Sequence, residues 1–230
     1  MQENKQIILA LDSSSAPLVL ALSADGKKYI SKHGGIKQEE YLFSAIHKLF
    51  AKAGLKFNQT THFFFVKGPG RFTGIRIGIT LASMLGSLLN VKISSADIFE
   101  ILKYQADNSS EYKKWAAQNP SGVLAVVIHA FREEYFACIY DGANKPLWLS
   151  REDLLSLIAE QTKPVFAVGW DKDQTPLGNL LPQGITLASK KINFVQPSSM
   201  LSLAQIIDRP SEKVLEPLYL KPARFELEHK

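Results

Sequence analysis

The chain has 230 residues, 46% hydrophobic and 21% charged, with a formal net charge of +5. That length holds one large or two small domains with a buried core, and nothing in the totals signals disorder. One cysteine, Cys138, rules out a disulfide framework within the chain and suits a reducing compartment.

The charge is uneven. Residues 1–110 carry 13 Lys/Arg against 8 Asp/Glu, while residues 111–230 carry 14 of each. This bias is compatible with an acidic or nucleic-acid partner and equally with a solvated surface. After Lys5, "IILALDSSSAPLVLALSA" has the look of a leader, but Asp12 and three serines break its apolar run after five residues. A secretory core needs about 7–15, and no uninterrupted run reaches the roughly 18 of a membrane span. The expectation is a soluble, cytoplasmic protein without membrane contact.

In chain order, residues 6–12 read as a buried strand, 17–24 as a second and 27–33 as a third, with Asp25-Gly26 as a hairpin turn between the last two. A helix over 38–53 follows, with Leu42, Ile46, Leu49 and Phe50 on one face and Gly54 as its stop. Residues 62–68 make another strand, and a helix runs from about Thr73 to Leu89. The second half repeats the order. Strands fall at 122–129, 134–140 and 146–149, a helix capped by Ser150 with Asp153 runs to about Glu160, and a strand falls at 164–170. A last helix from Ser198 or Ser199 to about Asp208 closes the series.

Overlaying the halves puts Asp12 opposite His129 and Asp25-Gly26 opposite Asp141-Gly142. The fold class is α/β: a two-lobed, duplicated βββαβα arrangement with mixed sheets, as in actin, Hsp70 and sugar kinases (the ASKHA, RNase H-like architecture). Expected boundaries are 1–98 for a first lobe with partner-binding helices and 99–212 for a second. A C-terminal segment, 213–230, is expected to pack back on the first lobe, and "KPARFELEHK" reads as a solvated tail. The lobes join near residues 95–120. Fold analogy alone does not give function.

A working ATPase of this architecture needs an acid and small polar donors in the first lobe. "LDSSSAP" offers Asp12, Ser13 and Ser14, and the Gly68-Pro69-Gly70-Arg71 loop could present amides to an anion. These six residues (Asp12, Ser13, Ser14, Gly68, Gly70 and Arg71) are the candidate phosphate-proximal set. The competing account makes Asp12 a carboxylate bonded to turn amides and the loop a rigid turn with Thr73 as helix cap. The second lobe shows His129 where its acid should stand, and "VGWDKD" lacks a Gly-Gly pair. Half the site is missing, so no catalytic residue is assigned. His33, His47, His62, His129 and His229 show no metal-ligand spacing, and no nucleophile elbow occurs. No metal site is expected.

"GPGRFTGIRIG" raises a different question. Gly74, Gly78, Ala82 and Gly86 recur every four residues, although each glycine costs a helix about 1 kcal/mol relative to Ala. Such a strip admits a closely packed neighbour. Surplus apolar residues on both helices need a partner as well. The candidate interface comprises Tyr41, Leu42, Ala45, Ile46, Leu49, Gly74, Ile75, Gly78, Ala82, Leu85 and Gly86. Internal packing of one helix on the other is the alternative.

"ILALDSSSAPLVLALSADG", "VKGPGRFTGIRIG" and "EPLYLKP" together resemble the TsaB (YeaZ-type) family over nearly the whole chain. The resemblance implies an inert relative of TsaD that pairs with a TsaD-type catalytic subunit and a TsaE-type ATPase. Together they install threonylcarbamoyl on adenosine 37 of tRNA. It implies pairing through the helices at 38–53 and 73–89, a homodimer when alone, and tRNA contact only through the assembled complex. It implies no cofactor required by this chain, with ATP or ADP at the complex interface left open. The chain departs from the family at Arg71, where Ser is usual, near Tyr41, where many members carry His, and at "HAFREEYF" in the second lobe. The alternative from another class is a small ATP-dependent kinase or carbamoyltransferase.

Overall fold

The apolar run after Gln6 forms β1 (Ile7–Asp12), buried throughout. It centres a sheet with β2 (Leu18–Ala24), β3 (Lys27–His33), β4 (His62–Val66) and β5 (Lys92–Ala96), in the order β3-β2-β1-β4-β5. The first three strands pair antiparallel, and β4 and β5 add in parallel. Asp25 and Gly26 both lie at positive φ, 50° and 72°, as an Asp-Gly hairpin turn requires. The second sheet contains β6 (Val123–Phe131), β7 (Glu134–Tyr140), β8 (Leu147–Ser150), β9 (Val165–Trp170) and β10 (Thr186–Leu187), in the order β10-β9-β6-β7-β8. Its pairing directions match the first sheet strand for strand. The helices among the described residues are α1 (Gln38–Ala53), α2 (Phe72–Leu89), α3 (Ile98–Asp107), α4 (Ser110–Gln118), α5 (Arg151–Ala159) and α6 (Pro197–Ile206).

This is a computed structural model in which residues 6–34, 38–208 and 214–221 are described. It divides into one unit of Met1–Ile98 with Gln196–Leu218 and another of Phe99–Val195 with Tyr219–Lys230. The tail after Lys221, with His229, lies outside the described residues.

In the first unit, the period-two alternation of the strands sorts their side chains onto two faces. Ile7, Leu9 and Leu11 of β1 join Leu18, Leu20 and Leu22 of β2 and Phe63 and Phe65 of β4 in a core with α1 and α2. Leu42, Ala45, Ile46, Leu49 and Phe50 are the inward stripe of α1. Helix α1 ends at Gly54, whose φ of +69° lets Leu55 N–H reach the Phe50 carbonyl at 3.0 Å, the Schellman closure. α6 lies on β1, β2, β4 and β5, burying Met200, Leu201, Leu203 and Ala204.

That position corrects the expected second lobe of 99–212. β1, β2 and β4 are buried on both faces, and α1 and α2 cover only one. The final helix supplies the other cover, so it belongs to the first unit. Pro197 opens it, with Gln196 as cap, one or two residues earlier than the serines suggested. The counterpart of α2 in the second half is also not a helix. Two single 3₁₀ turns, Lys172–Gln174 and Leu177–Asn179, stand between β9 and β10. The expected junction at 95–120 is structured too, holding the end of β5, α3 and α4.

In the second unit, α5 begins as its sequence implies. Ser150 Oγ accepts from Asp153 N–H at 3.0 Å and donates to the Asp153 carboxylate at 2.8 Å. Trp115 of α4 packs against Phe166 of β9, ring centroids 5.3 Å apart. Cys138 is buried in β7.

His62, at the start of β4, is buried with Nε2 2.9 Å from Ser94 Oγ and no partner for Nδ1. Burial, reinforced by the charge of Lys92, lowers its pKa from 6.5 to about 4. The folded state therefore binds fewer protons than the unfolded state between those values, and stability rises with pH there. The contribution is whole above pH 6.5 and is lost as pH falls through about 4. Urea titrations at pH 7 and pH 4.5 should differ by on the order of 2–3 kcal/mol from this group. His62→Gln should remove that part of the pH dependence; an unchanged slope would show that His62 is not its source.

Candidate functional site

The β1–β2 turn and the start of α2 form one knot. Asp12, the last residue of β1, is fully buried. Its Oδ1 accepts from Ser14 N–H at 2.9 Å, Ser14 Oγ at 2.7 Å and Ser15 N–H at 3.3 Å, and Oδ2 accepts from Ser15 Oγ. Burial pushes the carboxyl above its ordinary pKa, and the serine donors oppose that shift. Ser13 Oγ donates to the Gly74 carbonyl at 2.8 Å, and Arg71 N–H donates to the Ser14 carbonyl at 2.8 Å. The serine hydroxyls and the Ser14 and Ser15 amides are thus all engaged inside the unit.

The glycines of "GPGRFTGIRIG" answer to this knot. A Cβ at Gly74 would stand 1.8 Å from the Ser13 carbonyl oxygen, and one at Gly70 would stand 2.3 Å from that of Ser14. Gly68 has φ +111° and would meet the Leu218 carbonyl at 2.7 Å, where Leu218 N–H donates to the Lys67 carbonyl at 2.9 Å. Further along, a Cβ at Gly78 would meet the ring of Phe65 at 3.1 Å, and one at Gly86 would meet Ile93 at 3.5 Å. The strip faces the chain's own sheet. It lets α2 lie close over β4 and β5 and seats its first turn on the β1–β2 turn.

This corrects the residue assignment of the partner interface. Leu42, Ala45, Ile46, Leu49, Gly74, Ile75, Gly78, Ala82 and Leu85 are all buried within the first unit. Of the expected set, Tyr41 is exposed and Gly86 half-buried. The helix begins at Phe72 with Arg71 as its N-cap, so Thr73 is not the cap. Arg71 itself is exposed.

The outward faces carry other residues. Eleven large apolar side chains stand exposed among the described residues, and six of them lie on α1 and α2: Tyr41, Phe43, Phe72, Met84, Leu88 and Leu89. Phe43 is 63% exposed and Leu88 74%. α1 and α2 touch one another. Phe72 lies under the Arg76 guanidinium, 3.9 Å from ring centroid to Cζ. Helical spacing sets Met84 and Leu88 on one stripe of α2. The residues expected at a partner surface pack within the unit instead; on α2 a glycine strip reads alike in the sequence whether it meets a foreign helix or its own sheet. α2 has the length and composition to cross a membrane, and its packing on β4 and β5 accounts for much of that apolar content.

In the second unit, His129 stands where Asp12 stands in the first. Each follows the strand residue that pairs with the neighbouring parallel strand, Leu11 with Phe65 and Ile128 with Trp170. His129 Nε2 lies 2.8 Å from the Arg132 carbonyl, and its ring meets Tyr135 edge-on. Asp171 Oδ1 accepts from the Tyr135 hydroxyl at 2.6 Å. Burial and that carboxylate hold the tyrosine well above its usual pKa.

Two mixed sheets of identical strand order, each with helices, define the α/β class of the actin and Hsp70 architecture. The TsaD family model, described as tRNA N6-adenosine threonylcarbamoyltransferase, matches residues 19–145, more than half of the chain. The chain belongs to this family, among its TsaB/YeaZ members. It is 27% identical over 177 residues to the tRNA threonylcarbamoyladenosine biosynthesis protein TsaB of Bacillus subtilis (strain 168), covering 71% of each chain. It is 23% identical over 228 residues to the protein of the same name from Buchnera aphidicola subsp. Baizongia pistaciae, covering 93% of this chain and 97% of the other. The solved structure of YeaZ from Pseudomonas aeruginosa shares the fold, with a TM-score of 0.65 and 20% identity over 94% of this chain and all of that one.

Proposed function

We propose that this chain is a non-catalytic, activating scaffold subunit of the machinery that forms N6-threonylcarbamoyladenosine at position 37 of tRNA. It docks a TsaD-type catalytic subunit through the outward faces of α1 and α2 and works with a TsaE-type ATPase in the cytoplasm. Alone, it pairs with a second copy through the same face. The observation that carries this reading is the concentration of exposed apolar side chains on two neighbouring helices: Tyr41 and Phe43 with Phe72, Met84, Leu88 and Leu89. The names of the curated relatives supply the pathway.

The inert role rests on the knot. Asp12, Ser13 and Ser14 are buried, with hydroxyls and turn amides spent on one another and on α2. A nucleotide phosphate at this turn would have to break those bonds, so these residues do not fit one. The Gly68–Arg71 loop spends Arg71 N–H on Ser14 in the same way. The alternative reading, a small ATP-dependent kinase or carbamoyltransferase, needs this turn open. Any ATP or ADP of the complex is assigned to surfaces that the partners complete.

Reconstitution tests the proposal. Threonylcarbamoyladenosine formation by the catalytic subunit and the ATPase, followed by nucleoside mass spectrometry, should require this chain. The chain alone should give neither the modified nucleoside nor ATP turnover. Turnover of Mg-ATP by the isolated chain would overturn the inert assignment.

A further inference from the structure

The second unit carries a patch of excess positive charge that the docking face does not include. Glu111, in the first turn of α4, bonds Ser189 twice: Oε1 accepts from Ser189 Oγ at 2.8 Å and Oε2 from Ser189 N–H at 3.2 Å. Lys191 N–H donates back to Ser189 Oγ at 3.4 Å. This clamp holds the loop after β10, with Lys190 and Lys191, against the start of α4. Lys114 lies three residues beyond Glu111 on the same helical face, and Lys113 stands about a quarter-turn round from it. All four lysines are exposed. None has an ion-pair partner among the described residues. Glu111 keeps its negative charge while bonded to Ser189 and offsets one of the four, leaving a net excess of positive charge, and Asp107 is paired with Lys103 at 2.5 Å. The half of the chain after residue 110 has as many acids as bases, so the excess here is a local segregation of charge.

We propose that Lys114, Lys190 and Lys191, flanked by Lys113, form a contact for the phosphodiester backbone of the tRNA in the assembled complex. Four exposed ammonium groups without partners suit closely spaced phosphates, which lysine meets as a point charge. Nothing in the patch reads a base edge, so the contact adds affinity without sequence preference. The inference rests on the proposed function for the identity of the RNA, and the clamp by Glu111 fixes where on the chain it lies.

The test titrates unmodified tRNA into the complex of this chain with a TsaD-type subunit, across a range of NaCl, by fluorescence anisotropy. Light scattering on the same samples reports whether the complex forms. Lys114→Glu/Lys190→Glu/Lys191→Glu should leave the complex intact and lower tRNA affinity at least tenfold at low salt. The slope of log K against log salt should become shallower by about 2, because three lysine–phosphate pairs no longer form. An intact complex with unchanged affinity and slope overturns the inference. Equal losses on reversing Lys27, Lys28 and Lys32 of β3 would also overturn it, because net charge alone would then explain the effect. Equal competition by polyglutamate of matched charge would overturn the RNA assignment in favour of an acidic protein. If the wild-type chain forms no complex, the proposed function fails. The same titration on the chain alone then decides the patch: a loss on reversal supports it, and no loss overturns it.

Discussion

Gly74→Ala should unfold at a clearly lower urea concentration than the wild type, while Gly86→Ala should hold or gain stability. Both replace a helical glycine by the best helix former, so helix propensity favours each by about 1 kcal/mol. Surroundings decide between them. A methyl at 74 lands 1.8 Å from the Ser13 carbonyl oxygen and 2.7 Å from its carbon. That obstacle is backbone in the β1–β2 turn, pinned by the bonds to Asp12, so it cannot swing aside as a side chain would. Relief requires α2 to lift, which breaks the Ser13 Oγ to Gly74 bond. Overpacking of this kind costs about 3 kcal/mol. At 86 the methyl meets Ile93 at 3.5 Å, an ordinary contact. Equal midpoints for the two variants would mean that the close seat of α2 on the turn is wrong. Gly78→Leu should also act on the fold, since its side chain would enter the space of Phe65.

Met84→Lys/Leu88→Lys should abolish docking without unfolding the chain. Both residues are exposed, Met84 by 45% and Leu88 by 74%, so their replacement should change stability by about 0.5 kcal/mol or less. Lysine also suits the negative end of the helix dipole near Leu89. At an interface, the same change buries two charges where apolar side chains met the partner. Loss of two central anchors typically costs about 2 kcal/mol or more, roughly 30-fold in affinity. Isothermal titration against a TsaD-type subunit measures the loss, and a thermal melt confirms the fold. Undiminished affinity would move the docking face elsewhere.

Much of the architecture is legible in the residues themselves. Strand alternation, Asp25-Gly26, Gly54 and Ser150 with Asp153 are local signals whose backbone demands sit in one or two residues. The misplaced features depend on distant ones. The final helix reads as amphipathic wherever it packs, and only the two-sided burial of β1, β2 and β4 shows that the first sheet needs it. β5 gives no apolar signal because "KISSA" buries serines, one of which donates from Ser95 Oγ to the Val214 carbonyl at 2.7 Å across more than a hundred residues. The glycine strip reveals a close approach but not its partners, which are the Ser13 carbonyl at Gly74, Phe65 at Gly78 and Ile93 at Gly86. Asp12 reads in the sequence as either a phosphate ligand or a turn carboxylate, and in the structure its carboxylate accepts from Ser14 and Ser15 of the turn.

The most direct test of the docking account is light scattering after size-exclusion chromatography of the chain mixed with a TsaD-type subunit from the same cell. A one-to-one complex should replace the homodimer of the isolated chain and should be missing for Met84→Lys/Leu88→Lys. Separate elution of the two proteins at tens of micromolar would contradict it, and so would a complex that the double substitution leaves intact.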